Sequence, residues 1–130
     1  MTGVRNCATS LPESGAGQQV KHYEGQQAVG GGGVTVCQEG AEPKALNPRF
    51  DLRCHSPTGF AWGYGGSGPA QLALALAADA LGDDERAQKV YQDLKFKVVA
   101  RLPEGRWTLS EAQVRAAIER IEQDRGHRNR

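Results

Sequence analysis

Nothing in this 130-residue chain approaches the run of about 18 apolar residues that a membrane-spanning helix needs, so no span is expected. Residues 1–20 lack the charged-then-apolar order of an export signal, and the expected location is the cytoplasm. Cysteine is scarce and odd in number. Cys7, Cys37 and Cys54 form no Cys-x-x-Cys pair, which argues against a disulfide framework and for reduced thiols. Charge of one sign is missing too: sixteen Lys and Arg against fifteen Asp and Glu leave +1, too little for a strong global field. Cys54-His55, with His22 as a third donor, matches no structural zinc spacing, so no metal is expected and no cofactor either.

What is present concentrates in one stretch. Gly59-Phe60-Ala61-Trp62-Gly63-Tyr64-Gly65-Gly66-Ser67-Gly68-Pro69 runs straight into Ala70-Gln71-Leu72-Ala73-Leu74-Ala75-Leu76, the most apolar segment of the chain. Phe60, Trp62 and Tyr64 alternate with small residues, so an extended chain would set the three rings on one face. The glycines permit positive φ or close approach of another chain, and Pro69 suits the first helical position. The stretch reads as strand, glycine loop, buried helix.

The rest of the chain divides around it. Residues 1–20 read as a flexible arm, 21–123 as one domain, and 124–130, including Arg125-Gly126-His127-Arg128-Asn129-Arg130, as a basic flexible tail. Lys21-His22-Tyr23-Glu24 is a short strand candidate. Gly30 to Gly33 reads as a turn, and Val34-Thr35-Val36-Cys37-Gln38 as a β-branched strand ended by Glu39-Gly40. Leu46 would close another short strand. Phe50-Asp51-Leu52-Arg53-Cys54 alternates again, so residues 21–64 read as a small antiparallel meander.

Three helices follow. The first spans Pro69 to about Leu81 with Gly82 as a left-handed stop, and its Leu and Ala residues on every side mark it as buried. Asp83 caps the second, whose core stripe is Ala87, Val90, Tyr91, Leu94 and Val98, with Arg86, Lys89, Asp93 and Lys97 opposite. Ser110-Glu111-Ala112-Gln113 is a capping box for the third, with Leu109 and Val114 placed as a staple and Val114, Ala117, Ile118 and Ile121 facing inward. The fold class is therefore α+β: a small antiparallel sheet from the N-terminal half packed against three C-terminal helices.

The catalytic motifs fail on inspection. Gly63-Tyr64-Gly65-Gly66-Ser67-Gly68 spells G-x-G-x-x-G, but no second parallel strand with a closing acid follows the helix. Pro69 stands where a P-loop lysine would be, and it also ends the G-x-S-x-G pattern of a nucleophile elbow. Ser67 reads more simply as a cap or turn residue than as a nucleophile served by His55. No pair of carboxylates is spaced for acid–base work, so no catalytic residue is assigned and an enzyme is the least favoured class.

Binding features remain. The N–H groups of Gly65 to Gly68 at a helix start would suit an anion, or else serve tight packing. The Phe60, Trp62 and Tyr64 rings would stack on bases if exposed, or else form core. Candidate contact residues are His55 and Ser56 in a loop, Trp62, Tyr64, Gly65, Gly66, Ser67 and Gly68, and the basic Arg86, Lys89, Lys97 and Arg101.

The run from His55-Ser56-Pro57-Thr58-Gly59-Phe60-Ala61-Trp62 through Ala75, with Tyr91-Gln92-Asp93-Leu94-Lys95-Phe96-Lys97-Val98-Val99-Ala100-Arg101-Leu102-Pro103 and Trp107-Thr108-Leu109, resembles a small prokaryotic and phage family classed as a domain of unknown function. The likeness covers about residues 22 to 122. It departs at Leu94, where an aromatic is expected, and at the four-glycine run. The resemblance implies a bacterial or phage accessory protein, with anti-defence or regulatory binding as the expected role and no catalytic residues to carry over. The expected function is a non-enzymatic binding module with a protein partner. A small anionic ligand on the glycine loop, or nucleic acid, is the alternative.

Overall fold

A computed structural model describes residues 20–27, 33–56 and 59–128. The arm before Val20, most of the four-glycine run and the Pro57-Thr58 step lie outside them. Strands β1 (Lys21–Gln26), β2 (Gly33–Gln38) and β3 (Lys44–Ala45) precede helices α1 (Ser67–Leu81) and α2 (Asp84–Lys97). A 3₁₀ turn, Val99–Arg101, leads to β4 (Arg106–Ser110) and α3 (Glu111–Arg128). The four strands form one antiparallel sheet in the order β3-β2-β1-β4, and with the three helices the fold is α+β.

Three strands come from the N-terminal half, but the fourth does not. Arg106-Trp107-Thr108-Leu109-Ser110, read from sequence as the approach to the third helix, pairs along β1 with Gly25 opposite Trp107 and Tyr23 opposite Leu109. The segments expected as strands at 50–54 and 60–64 are not strands. At Arg49 the backbone turns left-handed (φ 60°), and its carbonyl accepts the N–H groups of Leu52 at 3.0 Å and Arg53 at 3.3 Å, so 50–54 coils back into a turn. At Gly63 a φ of 87°, with its N–H bonded to the Val99 carbonyl at 3.0 Å, reverses the aromatic stretch. That turn splits the rings: Trp62 is buried at 2% exposure, Phe60 is half-buried and Tyr64 lies open.

The period-2 rule sorts the sheet into two faces. Tyr23, Gly25, Val34, Val36, Trp107 and Leu109 share the inner one, against the helices. On this face Trp107 covers Gly25, and its ring meets Trp62 edge-on at 5.6 Å. The tryptophans close the gap between sheet and loop, and the Trp62 indole N–H donates to the Glu104 carbonyl at 2.9 Å. Tyr23 donates its hydroxyl to Asp79 of α1 at 2.8 Å, and Lys21 pairs with the same carboxylate at 2.8 Å. Burial, helped by the Asp79 charge, pushes the Tyr23 phenol well above its ordinary range, so it stays a donor.

Helix α1 is the centre of the core, as its all-round Ala and Leu composition requires. It begins at Ser67, two residues before the expected start. Pro69 is the third helical residue, still within the first turn where no N–H is required. Gly82 ends it at φ 65°, donating to the Ala78 carbonyl at 2.9 Å. Asp83 then accepts the Arg86 N–H to cap α2. The Ser110–Gln113 box forms in both directions, at 2.8 and 3.0 Å. Helix α3 continues to Arg128, so the segment expected as tail from residue 124 is helical over most of its length. Arg125 reaches across to Asp93 at 3.0 Å.

Candidate interaction surface

The residues proposed from sequence fall into three groups. The first is structural. Ser56 is buried, and its N–H and that of His55 both donate to the side-chain oxygen of Gln71, at 3.1 and 2.6 Å. The Gln71 amide nitrogen donates in turn to the carbonyls of Pro48 and Arg53. Gln71 is wholly buried on α1, and all four of its hydrogen bonds go to a loop with no ladder of its own. The His55 ring lies 2.7 Å from the Tyr91 hydroxyl. Trp62 is core. Gly68 is buried against Ala61: a Cβ added there would sit 2.6 Å from the Ala61 Cβ and 3.2 Å from its nitrogen.

The second group is basic but already engaged. Arg86 forms a two-point pair with Glu122 of α3, at 2.8 and 2.9 Å, and is held charged by it. Lys89 lies 3.9 Å from Glu85 one turn away. The side of α2 that carries Arg86, Lys89, Asp93 and Lys97 is therefore partly an α2–α3 seam, since Arg86 is bound to Glu122 and Asp93 to Arg125.

The third group comes together on the surface. Tyr64 is 55% exposed and Phe96, from the end of α2, 57%. Their rings lie over consecutive glycines: a Cβ on Gly65 would stand 3.0 Å from Phe96, and one on Gly66 2.7 Å from Tyr64. None of Gly65, Gly66 and Gly68 has positive φ, so these glycines serve close approach rather than turning. Next to them is the start of α1, where Gly66 holds the cap position and no side chain satisfies the first N–H groups. Ser67 is exposed and does not cap. Lys95 sits 4.2 Å over the Phe96 ring, a cation–π contact. Lys97 and Arg101 are exposed in the same segment, and no carboxylate among the described residues pairs with either. Tyr64 and Phe96 thus both pack on the glycines that precede α1, with Lys95 over the Phe96 ring.

Sequence reading missed Phe96, Lys95 and Gln71. Phe96 carried a signal, since a large ring at 96 falls off the 87-90-91-94-98 stripe and must look outward. Gln71 carried one as well, being the lone polar side chain in an all-Ala and Leu run.

A groove of about 490 Å³ lies elsewhere, lined by Asn47, Arg49, Asp51, Ala75, Ala78, Asp79 and Gly82. Its charges are satisfied internally. Arg49 binds Asp84 through two nitrogens at 2.8 and 2.9 Å and Asp51 at 3.0 and 3.1 Å, and Asp79 serves Lys21 and Tyr23. Hydrogen bonds from Arg49 hold the Asp51 and Asp84 carboxyls below the usual range. Such a groove is braced rather than waiting for a ligand.

Over residues 23–120 the chain matches the model of a family of unknown function, DUF6166, and belongs to that family. No curated protein and no solved structure matches it. Among the described residues no helix is long and apolar enough to cross a membrane.

Proposed function

We propose that this chain is a non-enzymatic binding module that engages a protein partner through the Tyr64–Phe96 surface. The observation that carries the reading is the exposure of two large rings, Tyr64 and Phe96, packed on consecutive glycines in a chain with few aromatics. Rings of this kind are the residues that dominate protein contacts once buried by a partner. Lys95, Lys97 and Arg101 favour carboxylates on the partner's rim, which would steer encounter. In a bacterial or phage accessory protein of the cytoplasm, this contact would act by covering a working surface of its partner, in a regulatory or anti-defence role.

Nucleic acid is the second reading, favoured by the same rings and cations. Salt separates the two: a contact to several phosphates weakens about tenfold or more between roughly 50 and 200 mM salt, whereas an aromatic contact changes little. The test compares the parent with the Tyr64→Ala/Phe96→Ala double variant. Proteins retained from host lysate are quantified, and single- and double-stranded oligonucleotides are titrated at both salts. Support is a protein retained at both salts and lost with the two rings, while the melting temperature holds. A protein retained equally by the variant, or steeply salt-dependent oligonucleotide binding in its place, overturns the reading.

A further inference from the structure

The sheet's outer face carries a different chemistry. His22 and Glu24 stand two apart on β1 and so share that face, and Cys37 on β2 is directly opposite His22. The His22 Nε2 and a Glu24 carboxylate oxygen are 2.9 Å apart. With the Cys37 Sγ, all three donor atoms lie within 4.8 Å of one another. A tetrahedral zinc with bonds of about 2.0–2.3 Å holds its donors about 3.3–3.6 Å apart, so modest side-chain rotation closes the trio on one ion.

We propose that His22, Glu24 and Cys37 form a zinc(II) site. The donor set selects the ion: a thiolate and an imidazole exclude the oxygen-seeking magnesium and calcium, and the added carboxylate suits borderline zinc. The strands make the geometry dependable, since all three residues sit on paired backbone rather than on loops. Sequence spacing hides the trio, because His22 and Cys37 meet only through the β1–β2 register. On binding, the imidazole proton moves to Nδ1, freeing Nε2, and the thiol proton leaves to solvent. Three protein donors leave a fourth position. Glu24 also borders a groove of about 360 Å³ with Thr35, Thr108 and Arg106, whose hydroxyls and cation suit a small anion beside the metal. The site is independent of the aromatic surface.

The experiment uses the full chain, stripped by chelator and titrated with zinc chloride by calorimetry and with cobalt(II) chloride by absorption. One equivalent of each is expected, and cobalt should show the charge-transfer band of a bound thiolate. Cys37→Ser should lose that band, and His22→Gln and Glu24→Gln should each weaken zinc at least about tenfold, the lower end of what losing even a ligand's supporting partner does. Cys54→Ser should change nothing. No saturable zinc binding, a cobalt spectrum without the thiolate band, or a band that survives Cys37→Ser and vanishes in Cys54→Ser overturns the assignment. If Cys37→Ser does not fold, a band kept in both Cys7→Ser and Cys54→Ser assigns the thiolate to Cys37, the remaining cysteine, and a band lost in either overturns it.

Discussion

Trp107 occupies the space a side chain at Gly25 would need: a Cβ there would lie 2.2 Å from the indole ring. The two residues are directly paired across β1 and β4, and the ring is pinned on its other side by Trp62. Gly25→Ala is therefore expected to lose about 1–3 kcal/mol, the usual range for overpacking a filled core. Urea denaturation checks it. A loss under about 0.5 kcal/mol would mean that the indole moves freely.

The glycines before α1 should separate by position. Gly68→Ala drives a methyl into Ala61 backbone and side chain, neither of which can swing away, and a loss of about 2 kcal/mol is expected. Gly65→Ala meets only the edge of an exposed ring, so its loss should stay below about 1 kcal/mol. Equal losses in chemical melts would contradict this division.

Gln71→Leu keeps the volume of the buried side chain but removes both donor and acceptor. Two N–H groups and two carbonyls lose their partner, and about 2–3 kcal/mol should go with them. Thermal melts at neutral pH measure the change. Near-parental stability would show that water replaces the amide without loss.

Acid should weaken the fold through the arginine clamps. Hydrogen bonds from Arg49 depress Asp51 and Asp84, and those from Arg86 depress Glu122. A carboxyl lowered in the folded state contributes stability that is complete above its unfolded value near ~4 and lost as pH falls through the folded value. All three face solvent, so the decline should be shallow and smaller in high salt. The melting temperature followed from pH 7 to 2 should fall below about pH 4, and Asp84→Asn should flatten that limb. An unchanged limb in the variant would count against the clamp.

Removing the hydroxyl of Ser110 takes away half of a capping box at the junction of β4 and α3. Ser110→Ala should lose about 1 kcal/mol in urea melts, and Ser110→Asp should recover most of it.

These sites differ in how far sequence revealed them. Asp83, Gly82 and the Ser110–Gln113 box were legible because each is complete within a few residues and expresses a backbone need at a helix end. The buried character of α1 was legible for a similar reason, since its composition leaves no face for water. Strand β4 was not, because its partner β1 lies at the far end of the chain and a local pattern assigns Leu109 equally well to a staple. Alternation at 50–54 misled because Arg49 bends the backbone and clamps Asp51 and Asp84, a constraint that no periodicity records. At the surface, Tyr64 was found but grouped with Trp62. Only the Gly63 reversal, followed by the Phe96 ring arriving from α2, sets them apart.

Gln71 also has a consequence for motion. Four backbone hydrogen bonds that a sheet would spread over many residues converge on one amide, so the Pro48, Arg53, His55 and Ser56 backbone groups it holds are latched or released together. Release requires the first turns of α1 to give way, which ties the exchange of the His55 and Ser56 amides to the helix rather than to their position at the surface. Those two protons should persist in heavy water alongside the interior of α1, and a loop that looks peripheral should behave, in time, as part of the core.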